Sequence, residues 1–158
     1  MKGSLTAWFK FFQDAPAKWR RRSRTERLLL MEAFVLLGIA RLAVLVLPFK
    51  RLAVSLDRHQ NETDMQISAS DLNFARKVGQ AVCSAANHTP WESVCLPQAV
   101  VAQWMLKRRR IAGTLYLGVA KDVTKPEILA AHAWLRCGSI ILTGAAGHQQ
   151  FTVVTTFS

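Results

Sequence analysis

Cysteine is scarce in this chain of 158 residues: there are three, an odd number, and no two have the CxxC spacing. Such a set argues against a disulfide framework and against a zinc ribbon, and it is typical of proteins in a reducing cytoplasm. Glycine and proline are also few, at 8 and 5, which excludes collagen-like and low-complexity chains. With 51% hydrophobic residues, the sequence predicts one compact folded domain with a helical appendage.

Acidic residues are half as frequent as basic ones, 10 against 21. The excess is concentrated in residues 1–60, which hold 12 basic and 4 acidic side chains and so a net charge of +8. Charge throughout the first 27 residues predicts no signal peptide, and we expect a cytoplasmic protein. A basic arm attracts acidic peptides, nucleic acids and anionic lipids alike. No zinc-finger spacing or aromatic RNA-binding motif accompanies it, so nucleic acid is not an expected partner.

One long apolar run, residues 28–49, has the length needed to cross a bilayer. Glu32 and Arg41 interrupt the run and would point to opposite sides of a helix, and each charge costs about 2.5–3.5 kcal/mol near the bilayer centre. We therefore predict a helix that is buried on all sides by the rest of the chain or by a partner and that ends at Pro48. The alternative is a helix at the inner membrane surface, because the basic residues 18–27 directly precede it.

Residues 57–64 form a polar stretch without apolar periodicity, which is typical of a linker. The sequence is therefore divided into a basic and apolar N-terminal helical region, residues 1–60, and a main domain, residues 65–158. In the main domain, apolar residues at three- and four-residue steps predict a first helix near residues 70–86. Its N-cap is predicted to be Ser70 or the residue after it.

A second helix is predicted over about residues 96–109. Pro97 fits only the first turn of a helix, where its missing N–H breaks no hydrogen bond, so this helix begins at or just after Cys95. The basic residues 107–110 follow at its other end, where cations complement the helix dipole. We interpret them as a solvated helix end, with a clamp for an acidic peptide as the alternative. The pattern thus predicts a thiol at a helix N-terminus.

From Gly113 onward the pattern changes to short segments that are rich in β-branched and aromatic residues and bounded by glycine or proline. Such segments predict strands. There are four of them, at residues 114–119, 131–136, 139–143 and 151–157. Helices followed by an antiparallel sheet predict an α+β domain.

Cys95 and His132 are the two residues best placed for chemistry. A cysteine at a helix N-terminus is favoured as the nucleophilic thiolate, and a histidine in a strand can be held in one orientation to act as its base. A helix-borne cysteine followed by a strand-borne histidine is the order found in papain-like and transglutaminase-like enzymes. The same pair also fits an inert buried cysteine and a core histidine. Cys83 and Cys137 are interpreted as structural.

Three sequence blocks around this pair resemble one enzyme family. They are Pro90-Trp91-x-x-x-Cys95-Leu96-x-Gln98-Ala99, Leu115-Tyr116-Leu117-Gly118-Val119 and Ala131-His132-Ala133-Trp134-Leu135. In this order they closely resemble the leader peptidase of lasso-peptide biosynthesis. Residues 26–49 are similar to the N-terminal helical part of its short stand-alone members, so the resemblance covers about residues 20–157.

The resemblance implies a transglutaminase-like (papain-like) cysteine protease domain with an N-terminal helical extension. It implies that Cys95 is the nucleophile and His132 the base, and that the enzyme cuts the leader from a ribosomal precursor before a cyclase closes the ring. Stand-alone members carry no leader-reading domain, so the expected partners are the precursor, a separate leader-recognition protein and the lasso cyclase. No cofactor or metal is expected, because Cys83, His88 and Cys95 lack the spacing of metal ligands.

The third member of the triad is open. The family uses an aspartate on the strand after the histidine, but no Asp, Glu or Asn follows His132 in this chain. If Cys137-Gly138 forms a two-residue hairpin turn, His132 lies opposite Thr143, whose hydroxyl can accept the imidazole N–H. Thr143 is therefore the geometric candidate and Ser139 the second, while Asp122 would need a loop excursion.

Two other interpretations use the same residues differently. An acyl transferase would employ the Cys95 and His132 pair but pass the acyl group to an amine. A non-catalytic basic helical adaptor would bind acidic partners through residues 18–27 and leave Cys95 inert. For the peptidase, the Cys95 N–H is the expected oxyanion donor. Gln98 could be a second donor only if its side chain turns back past the first helical turn.

Overall fold

The fold is described by a computed structural model over residues 22–46, 48, 51, 62–91, 93–121 and 129–158. Helices come first and strands follow, in the order α1 (Arg24–Val46), α2 (Ala69–Ala86), α3 (Cys95–Lys107), β1 (Thr114–Lys121), β2 (Leu129–Cys137), β3 (Ile140–Thr143) and β4 (Thr152–Phe157). A short 3-10 helix, His148–Gln150, precedes β4. The α+β class predicted from the sequence is confirmed.

Helix α1 begins with a capping box. The Glu26 N–H donates to the Ser23 hydroxyl at 3.2 Å, and the Ser23 N–H donates to the Glu26 carboxylate at 2.8 Å, an arrangement that satisfies amide groups at the helix start. Four residues on one side of α1 are buried in the core: Leu29, Ala33, Leu37 and Ala40. The described residues cover only this side of the helix, whereas the sequence predicted a helix buried on all sides by the rest of the chain or by a partner.

Ion pairs fasten α1 to the C-terminal end of α3. Arg108 and Arg109 both bind the Glu32 carboxylate, and the Arg109 Nη2 lies 2.8 Å from its Oε2. The Glu32 side chain is only 20% exposed, so solvent and salt screen this pairing less than they would screen a pair in open water. Residues 107–110 were predicted to form a solvated helix end. Two of these four residues, Arg108 and Arg109, instead form ion pairs with Glu32 of the same chain.

Helices α2 and α3 start in different ways. The N-cap of α2 is Ser68, whose hydroxyl accepts from the Asp71 N–H at 3.1 Å, so the helix begins earlier than the sequence predicted. Helix α3 begins at Cys95, as the position of Pro97 predicted, and its N-cap residue, Val94, provides no side-chain hydrogen bond. The first turn of α3 therefore has amide N–H groups without a capping side chain.

The four strands form one antiparallel sheet in the order β3-β2-β1-β4. Side chains alternate between the two faces of each strand. One face packs against the helices, because Ala133 and Leu135 belong to the same hydrophobic core as the buried residues of α1, α2 and α3. The other face carries Tyr116 and Trp134, whose rings stack with centroids 5.4 Å apart. By this alternation His132 lies on the face opposite to the helices.

The hairpin between β2 and β3 differs from the prediction. Its turn is Gly138-Ser139 rather than Cys137-Gly138, and its first residue has a φ of +54°, which glycine adopts without strain. A bulge after the first pairs then brings Thr143 opposite Leu135. The predicted pairing of His132 with Thr143 was therefore wrong, and Thr143 lies on the face that the helices cover.

Candidate active site

Cys95 is the first residue of α3, and its thiol is free and half-buried. The uncapped N–H groups and the positive end of the helix dipole meet at this position. Groups of this kind favour negative charge, such as that on the oxyanion that forms when a thiolate attacks a carbonyl. Within the described part of the chain, the Cys95 Sγ makes no hydrogen bond. The helix thus supplies the electrostatic conditions that nucleophilic chemistry needs at this thiol.

The other two cysteines are held by hydrogen bonds. The Cys83 thiol contacts the Leu142 carbonyl at 3.8 Å and Gln98 Oε1 at 3.9 Å, and the Cys137 thiol donates to the Ala112 carbonyl at 3.2 Å. Burial raises the pKa of both thiols above the ordinary value. Both therefore stay protonated at neutral pH, which suits a structural role.

His132 is oriented by a backbone carbonyl. Its Nε2 lies 2.8 Å from the Gly144 carbonyl oxygen, and because a carbonyl can only accept, Nε2 must carry the proton. In the neutral ring the lone pair is then on Nδ1, which forms no hydrogen bond with any described residue. A fixed tautomer with an available lone pair is what a general base requires.

The residues predicted to orient His132 lie elsewhere. Thr143 pairs with Leu135 on the opposite face of the sheet, and Ser139 is exposed in the hairpin turn. Asp122 lies outside the described residues. The Gly144 carbonyl makes the hydrogen bond to His132 for which a side chain was expected. The only feature of the sequence that relates to this carbonyl is the glycine itself.

Gly144 can hold this carbonyl because it lacks a side chain. Its φ of +69° lies in the left-handed region, and a Cβ there would come within 2.3 Å of the Ala133 carbonyl oxygen and 2.9 Å of the Trp134 Cβ. Only glycine fits both the conformation and the contact. The chain can therefore leave β3 closely enough to β2 for the carbonyl to reach His132.

Replacing Thr143 by Val is expected to leave the activity unchanged and to raise the stability of the fold. Thr143 is 1% exposed, and within the described residues its Oγ1 has no hydrogen-bond partner. Removing an unpaired buried hydroxyl while keeping the shape should gain about 1 kcal/mol, or roughly 2–4 °C in Tm. Thermal unfolding and a cleavage assay of Thr143→Val test this. A large loss of cleavage at undiminished stability would return Thr143 to the triad.

Aromatic rings enclose His132 on its face of the sheet. The His132 ring lies 5.0 Å from the Phe151 ring and 5.8 Å from the Trp134 ring, centroid to centroid. Gly118 is the strand neighbour of His132 on β1, and a Cβ there would meet both Trp134 and Phe151 at 2.9 Å. The missing side chain at position 118 makes room for the rings that limit the movement of the histidine.

A series of contacts links α3 to the end of β3, next to the partner of His132. Gln98, one turn into α3, contacts the Cys83 thiol, which also contacts the Leu142 carbonyl. Leu142 is two residues before Gly144, the partner of His132. Because α3 covers one face of the sheet and the imidazole lies on the other, no hydrogen bond joins the two groups. The structure therefore does not place the thiol and the imidazole in one site.

Gln98 turns back past the first turn of α3, which was the condition for its role as a second oxyanion donor. Its Nε2 donates to the Ser93 carbonyl at 2.6 Å, and its Oε1 contacts the Cys83 thiol. The side chain is thus held beside the start of the helix, and the amide has a second N–H besides the one given to Ser93. In the described ranges, no group of three or more His, Cys, Asp or Glu side chains could hold a metal ion.

Comparison with known proteins identifies one family. The family model described as the transglutaminase-like superfamily matches residues 35–156. The match therefore begins within α1 and continues through the cysteine helix and nearly the whole sheet. Neither the comparison with curated proteins nor that with solved structures found a similar protein.

Proposed function

Because the chain belongs to the transglutaminase-like superfamily, we propose that it is a cysteine peptidase that removes the leader from a lasso-peptide precursor. Enzymes of this superfamily typically use a catalytic cysteine. The observation that carries the proposal is the pairing of two features: a thiol at an uncapped helix start and a histidine whose tautomer leaves Nδ1 unprotonated. The lasso-peptide substrate is supported by the three sequence blocks around Cys95, Gly118 and His132.

The reaction follows from these two groups. The two groups must first come together, because the structure holds the helix of Cys95 and the imidazole on opposite faces of the sheet. The Nδ1 of His132 then takes the thiol proton of Cys95, and the sulfur attacks the carbonyl of the last leader residue. The N–H groups at the start of α3 stabilise the negative charge on the oxygen. The imidazolium then gives its proton to the departing amine of the core peptide, and the C–N bond breaks. Water hydrolyses the thioester and releases a leader with a free carboxylate, which regenerates the thiol.

The Gly144 carbonyl has a limited effect on the rate. It fixes the tautomer of His132, but being neutral it stabilises the imidazolium less than a carboxylate would. The enzyme alone is therefore slow. A separate leader-recognition protein raises the rate by delivering the leader and by bringing Cys95 and His132 together. The lasso cyclase then uses the freed amine, and we expect all three proteins in the cytoplasm, where the precursor is made.

The test is cleavage of the precursor with and without the recognition protein, followed by mass spectrometry of the products. Hydrolysis predicts a leader with a free carboxylate and a core peptide with a free amine, formed much faster when the partner is present. A leader joined to an added amine would establish the acyl transferase instead. An intact precursor in every mixture, with folded enzyme, would favour the helical adaptor and contradict the peptidase.

A further inference from the structure

Helix α1 presents an exposed apolar stripe to solvent. Six side chains form it, each between 49% and 76% exposed: Leu28, Met31, Val35, Ile39, Leu42 and Val46. On an ideal helix they fall within an arc of about 80°, opposite to the four buried residues of α1. A continuous apolar face of this length marks an interaction surface rather than the scattered exposure of ordinary proteins.

The buried side of α1 decides how the helix can meet a membrane. The helix is long and apolar enough to cross one. Its buried residues, however, belong to the same core as those of α2, α3 and the sheet, and α1 is also tied to α3 through Glu32. Crossing a bilayer would expose that core to water or lipid. A helix that keeps this packing can offer only its outer face, so it must lie in the plane of the surface.

The charges around the apolar stripe are positive. Arg24 is exposed and stands four residues before Leu28, on the same line of the helix. Glu32 is the one acidic side chain of α1 beside the stripe, and the guanidinium groups of Arg108 and Arg109 neutralise it. Arg108 keeps 56% of its side chain exposed. Among the residues that the structure describes, arginines border the apolar face and no unpaired acid does, which is complementary to an anionic lipid surface.

We propose that the apolar stripe of α1 binds the surface of an anionic bilayer, with the helix in the membrane plane and the bordering arginines at the phosphate headgroups. A second copy fits this surface less well. A symmetric pair would bring together two chains that each carry a net charge of +11, and like charges repel across such an interface. The membrane docking is independent of the peptidase activity.

The test is co-sedimentation of the full chain with vesicles of phosphatidylglycerol and phosphatidylcholine in equal parts, and with vesicles of phosphatidylcholine alone. The parent is expected to bind the anionic vesicles, and to bind them more weakly as salt is raised. The variant Val35→Glu with Leu42→Glu should bind at least about tenfold more weakly, because it removes apolar contact and adds negative charge. The matched control is Leu129→Glu with Val154→Glu.

The control changes the same net charge at two positions of similar exposure, 65% and 60% against 61% and 63% in the stripe variant. It should bind within about threefold of the parent, because its changes lie outside the interface. No binding of the parent, or equal loss in both variants, would overturn the proposal. Light scattering that shows the parent as a dimer and the stripe variant as a monomer would also overturn the proposal. If circular dichroism shows that the double variant is unfolded, Val35→Glu against Val154→Glu makes the same comparison.

Discussion

Replacing Cys95 by Ala is expected to reduce precursor cleavage by about 10³-fold or more, because a covalent mechanism has no second nucleophile to use. The substitution removes one half-buried sulfur that makes no hydrogen bond with the described residues, so the thermal stability should change little. Initial rates are measured with precursor and recognition protein at matched enzyme concentration. Undiminished cleavage by Cys95→Ala would leave no place for the thiol and would end the peptidase proposal.

Cys83→Ala is the matched control for this experiment. Its thiol is held by the Leu142 carbonyl and Gln98, and burial raises its pKa, so it should not react. Cleavage by this variant is expected to stay within about threefold of the parental rate, as for changes away from the chemistry. Alkylation of the native protein with iodoacetamide should modify Cys95 first and block cleavage. Equal labelling of all three cysteines would contradict this assignment.

Replacing His132 by Gln is expected to reduce cleavage by about 10²–10⁴-fold, the usual contribution of a general base. The glutamine amide can still donate a hydrogen bond to the Gly144 carbonyl, which accepts from the His132 Nε2 at 2.8 Å. It has no lone pair that can take a proton at neutral pH. The variant therefore removes the general base and keeps the hydrogen bond to Gly144, which separates the catalytic role of His132 from its structural role. Rates and unfolding temperatures are measured together.

His148→Gln is the control on the same face of the sheet. The His148 ring lies 5.8 Å from the Trp134 ring, and its Nδ1 contacts the Ala145 carbonyl at 2.7 Å, so it has a structural place but no proposed chemistry. Its rate should stay near that of the parent. If both histidine variants lost activity equally, or if His132→Gln cleaved normally, His132 would not be the base.

The start of α3 could be predicted from the sequence because the signal was local. Pro97 has no N–H and is tolerated only in a first helical turn, which places Cys95 at the helix N-terminus, as the structure has it. The four strands could be predicted for the same reason. Their composition and their bounding turn residues are properties of neighbouring positions.

The partner of His132 could not be predicted, because it depends on register and on a backbone atom. The turn is Gly138-Ser139 and not Cys137-Gly138, and a bulge precedes Thr143. These changes of register send the Thr143 side chain to the face of the sheet opposite to His132. The carbonyl that takes its place belongs to Gly144, and every residue has a carbonyl. The glycine at position 144 indicates a turn, but it does not tell which group its carbonyl will bind.

The exposed side of α1 also escaped prediction. Apart from Glu32 and Arg41, residues 28–49 are apolar on all sides of a helix, and such a pattern does not tell which side the chain will cover. In the structure, the covered side is the one whose small and aliphatic residues pack in the core with α2 and α3. These residues are Leu29, Ala33, Leu37 and Ala40. The remaining side is equally apolar and is left in solvent, which is the basis of the proposed membrane docking.

At position 118 the structure leaves no room for a side chain. A side chain there would displace Trp134 or Phe151, and both rings border His132. Any replacement would therefore alter the surroundings of His132 through the two rings that border it. A saturation library at this codon, selected for product formation, would be expected to return glycine alone, although the residue itself takes no part in the reaction.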